Sequence, residues 1–149
     1  MAVTPLSITG RALRLLSQRE HSRAELERKL ARFEEEPGSL AQALDKLQAK
    51  DFINEGRVVE SVVHRRASKL GASRIKQELQ AKGLEPQAVA DAVTQLRATE
   101  LERAREIWRK KFGAPPADAA ERAKQMRFLA SRGFGGDTIH QVVSGGDED

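Results

Sequence analysis

The 149-residue sequence contains no cysteine, which excludes disulfides, thiolate metal sites and a thiol nucleophile. It has no tyrosine, one tryptophan and five phenylalanines, so aromatic platforms on which single-stranded bases could stack are scarce. No run approaches the ~18–20 apolar residues that span a bilayer, and the first residues lack the basic region and apolar stretch of a signal peptide. A soluble cytoplasmic protein with no membrane association is expected. Large apolar side chains are also few. Leu, Ile, Val and Phe number 34, about 23% of the chain and little above the level at which chains stay disordered. A single thick core is therefore not expected, and an extended set of small units suits the supply better.

What is present reads as helix. Apolar residues recur at intervals of three and four, whereas alternating runs of β-branched residues are almost missing. Helices are expected over 7–19, from Ser22, from Ser39, over 54–70 and 73–82, from Pro86, and over 99–112, 118–132 and 137–144. Ser22 followed three residues on by Glu25 is a capping-box signature. The run Glu34, Glu35, Glu36, Pro37, Gly38 breaks the second helix, and Ser39 opens the third. Gly83 stops a later helix, and Pro86 fits the first turn of the next. The class is all-α.

Sliding the chain against itself reveals a repeat. Leu26, Leu30, Leu40, Leu44 and Leu47 fall 49 residues before Ile75, Leu79, Val89, Val93 and Leu96. A shift of 50 places Leu79, Gly83, Leu84, Val89 and Val93 on Leu129, Gly133, Phe134, Ile139 and Val143. Three tandem three-helix repeats result, at 1–53, 54–98 and 99–144, with an acidic disordered tail over 145–149. Each unit is expected to help bury the open face of its neighbour.

Charge follows the repeat. The sum of +4 conceals blocks of +4 over 1–33, −4 over 34–56, +5 over 57–82, −2 over 83–96, +5 over 97–132 and −4 over 133–149. The first two helices of each unit are basic and the third is acidic. Aligned basic faces would attract nucleic acid or an acidic protein groove.

Nothing points to catalysis. His21, His64 and His140 are far apart and none has a neighbour at metal-ligand spacing, so solvated or capping roles are expected. Gly133-Phe134-Gly135-Gly136 lacks the spacing and preceding strand of a phosphate loop and serves as a helix stop and restart. Phe33, Phe52, Phe112, Phe128 and Phe134 are expected in the core, with Trp108 packing inward. No enzyme activity, cofactor or metal is expected.

The second unit reads Lys69-Leu70-Gly71-Ala72-Ser73-Arg74-Ile75, then Glu78-Leu79-Gln80-Ala81-Lys82-Gly83-Leu84. The third offers Lys124, then Phe128-Leu129-Ala130-Ser131-Arg132-Gly133-Phe134 and Ile139. In this order and spacing the residues resemble the RecX family, regulators of the bacterial RecA recombinase. Where that family usually has paired Asp, an aromatic and Ala, this chain has Asn54-Glu55-Gly56-Arg57-Val58-Val59, with Asn54 and Glu55 retaining a cap and a first-turn acid. The resemblance implies an elongated, curved helical array that binds the RecA filament and inhibits filament extension, recombinase ATPase and strand exchange. It would thereby modulate recombination, DNA repair and the SOS response. Single-stranded DNA phosphates are a further contact, and a monomer is expected.

Local basic density supplies the candidate contacts. One cluster comprises Arg65, Arg66 and Lys69, sharing part of one helical face, with Arg74, Lys76 and Lys82 on the next helix. The other comprises Arg105, Arg109, Lys110 and Lys111, then Arg122, Lys124, Arg127 and Arg132. Arg brings a planar fork for phosphate or carboxylate, and Lys a hydrated point charge. Without the family, the alternative is a helical regulator acting directly on DNA, since paired short helices with basic second members can mimic helix-turn-helix units.

Overall fold

The structure is a computed structural model that describes residues 6–145, so the tail from 146 onward lies outside the described residues. It contains α1 (Ile8–Gln18), α2 (Arg23–Leu30), α3 (Ser39–Ala49), α4 (Glu55–Arg66), α5 (Ala72–Ala81), α6 (Pro86–Ala98), α7 (Glu100–Lys111), α8 (Ala119–Ser131) and α9 (Gly136–Val143), with no strand among the described residues. None of these helices is long and apolar enough to cross a membrane.

Local chemistry sets the helix ends. Ser22 Oγ accepts from Glu25 N at 3.1 Å while Ser22 N donates to Glu25 Oε1 at 2.9 Å, completing the expected capping box. Asn54 and Asp118 cap α4 and α8 through Arg57 N and Glu121 N. α3 begins at Ser39, as expected. Gly38, at φ +88°, supplies no side chain, and Glu34 Oε2 instead accepts from Leu40 N at 2.8 Å. The helix expected over 54–70 ends at Arg66, whose carbonyl accepts from both Lys69 N and Leu70 N. Lys69 therefore lies in the turn that follows α4.

All ten apolar residues aligned by the first repeat shift are buried, but they form separate cores. In the first unit Leu26, Leu30, Leu44 and Leu47 close around Ala12. Val58, Val62, Ile75, Leu79 and Val93 do so in the second, and Ala104, Leu129, Phe134, Ile139 and Val143 in the third. The expectation that each unit covers its neighbour's apolar face is thus corrected: three helices suffice to close each core, and the junctions between units are polar. The accessible surface, 9481 Å², exceeds the ~7,500 Å² of a compact monomer of this mass, as an elongated body requires.

The second helices of the three units meet end to end. Ser22 Oγ donates to Lys82 O and Arg28 Nη2 to Ala81 O, joining α2 to the C-terminus of α5. The N-terminus of α5 in turn meets the C-terminus of α8.

Candidate partner-binding surface

The first N–H groups of a helix have no partner within it. Those at α5 find partners in the third unit: Gly71 N donates to Arg132 O at 2.8 Å, Ala72 N to Glu100 Oε1 at 2.8 Å and Ser73 N to Gly133 O at 3.3 Å. The accepting carbonyls end α8, so two helix dipoles align head to tail. Gly71 is needed because a Cβ there would fall 2.4 Å from Gly133 O, and Gly133 because its φ is +92°. Arg74 crosses Gly133 and donates from Nη1 to Ser131 O at 2.7 Å. The buried Glu100 also accepts from Thr138 Oγ1 at 3.2 Å. Arg103 adds a further link between the units, donating to the carbonyls of Ala67, Leu70 and Leu96. Burial lowers the Arg103 pKa from its ordinary value, with the charge of Glu100 acting in the opposite direction.

This junction brings together cations that are distant in sequence. Arg74 touches the carbonyl that precedes Arg132. Arg132 and Lys111 both lie over the Phe128 ring, at 4.9 and 5.4 Å from its centroid. Phe112 meets that ring edge-on at 5.4 Å. Lys69 precedes Gly71 by two residues in the connecting turn. Lys69, Arg74, Lys111 and Arg132 are all exposed. They form a basic seam beside the α5–α8 junction, which backbone hydrogen bonds from Gly71 and Ser73 hold together.

The other candidates are placed differently. Arg65 and Arg66 both face Glu78 of α5, at 3.8 and 3.0 Å. Arg109 and Lys110 share the exposed Glu106, at 3.5 and 3.7 Å. Arg122 Nη2 reaches Ser144 Oγ at 3.1 Å and the His140 ring at 3.4 Å, linking α8 to α9. Lys76, Lys124 and Arg127 are exposed, whereas Arg105 is half-buried. Lys82 is not on the basic surface: only 11% of its side chain is exposed, and its ammonium lies 3.3 Å from Glu25 at the first junction. Burial there tends to raise the Glu25 pKa, but Arg19, the Ser22 N–H and Lys82 outweigh it and hold the carboxyl down at about 2.

Family models for the first, second and third three-helix domains of RecX match residues 10–47, 54–93 and 98–143. Regulatory protein RecX of Leptothrix cholodnii is 56% identical over 138 residues, which cover 93% of this chain and 88% of that one. The chain belongs to the RecX family. Regulatory protein RecX of Ralstonia nicotianae is 47% identical, covering 96% of this chain and 90% of its own. The crystal structure of RecX from Lactobacillus salivarius shares the fold, with a TM-score of 0.77 at 24% identity over 93% of each chain.

Some side chains of this RecX-family protein depart from the sequence reading. His21 is buried, not solvated; its Nδ1 lies 3.0 Å from Arg19 O and its Nε2 3.0 Å from Lys29 Nζ. Burial leads in lowering its pKa. Phe52 is 47% exposed. Asp51, at φ +66°, ends α3 with Phe52 N donating to Leu47 O, which turns Phe52 outward and Ile53 inward. Trp108 does pack inward, donating from Nε1 to the buried Gln125 at 2.8 Å. The first unit also holds a basic cleft that no candidate residue marked, lined by Arg11, Arg14, Arg28, Lys29 and Arg32. The +4 block over 1–33 was its only signal.

Proposed function

We propose that this chain binds the filament formed by RecA recombinase on DNA and inhibits filament extension, recombinase ATPase and strand exchange. It thereby modulates recombination, DNA repair and the SOS response as a cytoplasmic monomer, with no catalytic step of its own. Family membership supports the regulatory role, and the fixed position of Arg74 beside Arg132 supports the mode of contact. Cations held by a backbone junction lose less freedom on meeting carboxylates or phosphates than solitary side chains do. The extended body, with units at 1–53, 54–98 and 99–144, offers a long footprint for a repeating polymer.

Co-sedimentation with preformed RecA filaments tests this reading. The chain is expected to pellet with filaments more strongly than with bare single strands at matched salt. Failure to pellet defeats the proposal, whereas equal affinity and equally steep salt slopes for both would favour direct nucleic-acid binding.

A further inference from the structure

The first unit carries a cleft of about 550 Å³ rimmed by Arg11, Arg14, Arg28, Lys29 and Arg32. Cations elsewhere on the chain are commonly matched by acids: Arg19 by Glu25, Arg23 by Glu27 and Asp45, Arg57 by Glu20 and Asp51, Arg66 by Glu78. Among the described residues no carboxylate lies within 4 Å of any of the five cleft cations. Their contacts are neutral. Arg28 donates to Ala81 O, Lys29 meets the His21 ring, and Arg11 and Arg32 lie over Phe33 at 3.8 and 4.7 Å from its centroid. Glu35 and Glu36 line a separate hollow that shares Leu6 and Phe33 with the cleft. An uncompensated set of five cations repels itself and attracts an anionic partner.

The remaining lining decides which anion. Leu6, Leu15 and Leu30 give the cleft an apolar floor, with Leu6 42% exposed. A phosphate backbone makes no use of an aliphatic floor, and the one aromatic ring present is already covered by guanidinium groups, which leaves no platform for a base. Carboxylates on the arginine rim combined with an aliphatic anchor on the floor satisfy both features. We propose that this cleft is a docking site for an acidic protein segment bearing leucine-type anchors. It lies in a different unit from the α5–α8 seam and constitutes a second, independent contact.

The test is fluorescence anisotropy with the full chain and three labelled probes: a short peptide of Asp, Glu and Leu, the same peptide with Ser in place of Leu, and an oligo-dT of equal charge. The Arg14 and Arg32 side chains are exposed and make no hydrogen bond to backbone among the described residues, so Arg14→Glu with Arg32→Glu should retain native far-UV helicity. That variant is expected to bind the leucine peptide about tenfold more weakly or worse, while Arg97→Glu, at an exposed position outside the cleft, leaves binding within about twofold. Equal binding of the Ser peptide overturns the proposal. So does tighter binding of oligo-dT that the same double variant abolishes, which would make the cleft a nucleic-acid site. Deletion of residues 1–5 should leave affinity unchanged, and a tenfold rise would assign the cleft to the chain's own N-terminal segment instead.

Discussion

Gly71 and Gly133 face each other so closely that a β-carbon on the first would lie 2.4 Å from the carbonyl oxygen of the second. The contact couples two helices through backbone groups alone, and it fixes where Arg74 and Arg132 stand.

Gly71→Ala should force that contact apart. A loss of about 1–3 kcal/mol is expected, read as a lower urea midpoint with native helicity retained. An unchanged midpoint would mean that the junction yields without cost.

Glu100→Gln retains shape but leaves one acceptor where the carboxylate served both Ala72 N and Thr138 Oγ1. Because the site is buried, destabilisation of about 1–3 kcal/mol is expected, again by urea titration. A Thr138→Val change made alongside should add less than its separate effect, since the two residues share one interaction.

Stability should fall with acid in two stages. The His21 pKa lies below its ordinary 6.5 because burial disfavours the charged ring, so below about pH 6.5 the unfolded chain takes up a proton that the folded chain resists. Glu25 is held near 2 against an ordinary 4.5, so its contribution is complete above pH 4.5 and is lost towards pH 2. Its full loss is on the order of 2–3 kcal/mol. In Glu25→Gln the second stage should flatten in a pH series of thermal midpoints; an unaltered slope would show that other carboxylates govern it.

The candidate lysines should fall into two groups that behave oppositely. Lys82→Ala removes an ammonium from the Glu25 network and should lower the urea midpoint by about 1 kcal/mol or more while sparing filament co-sedimentation. Lys69→Glu combined with Lys111→Glu should leave the midpoint nearly unchanged and weaken co-sedimentation about tenfold. The reverse pattern would remove the α5–α8 seam from the interaction.

Features that depend on near neighbours were legible in the sequence. The Ser22–Glu25 box, the Asn54 cap and Pro86 at the start of α6 all act within one turn, and the repeated leucines and valines mark the cores by spacing alone. What escaped depends on distant chain. Lys82 looks like a surface lysine until α2 is set against α5, and His21 looks solvated until Arg19 and Lys29 enclose it. The seam was only half visible: its cations were identified, but their meeting rests on backbone hydrogen bonds to Arg132 and Gly133, which leave no side-chain signature beyond two glycines. The expectation of shared cores failed for the same reason, because the polar junctions pair groups far apart in sequence, such as Glu100 with Ala72 and Lys82 with Glu25.

Three separate cores also bear on how the chain acquires its fold. Each core draws its residues from one unit, so nearly all apolar contacts are local in sequence, a pattern associated with rapid folding. During synthesis the first unit can close its core before the last has left the ribosome. The links that arrive later, from Arg28 to Ala81 and from Gly71 to Arg132, then join parts that are already formed.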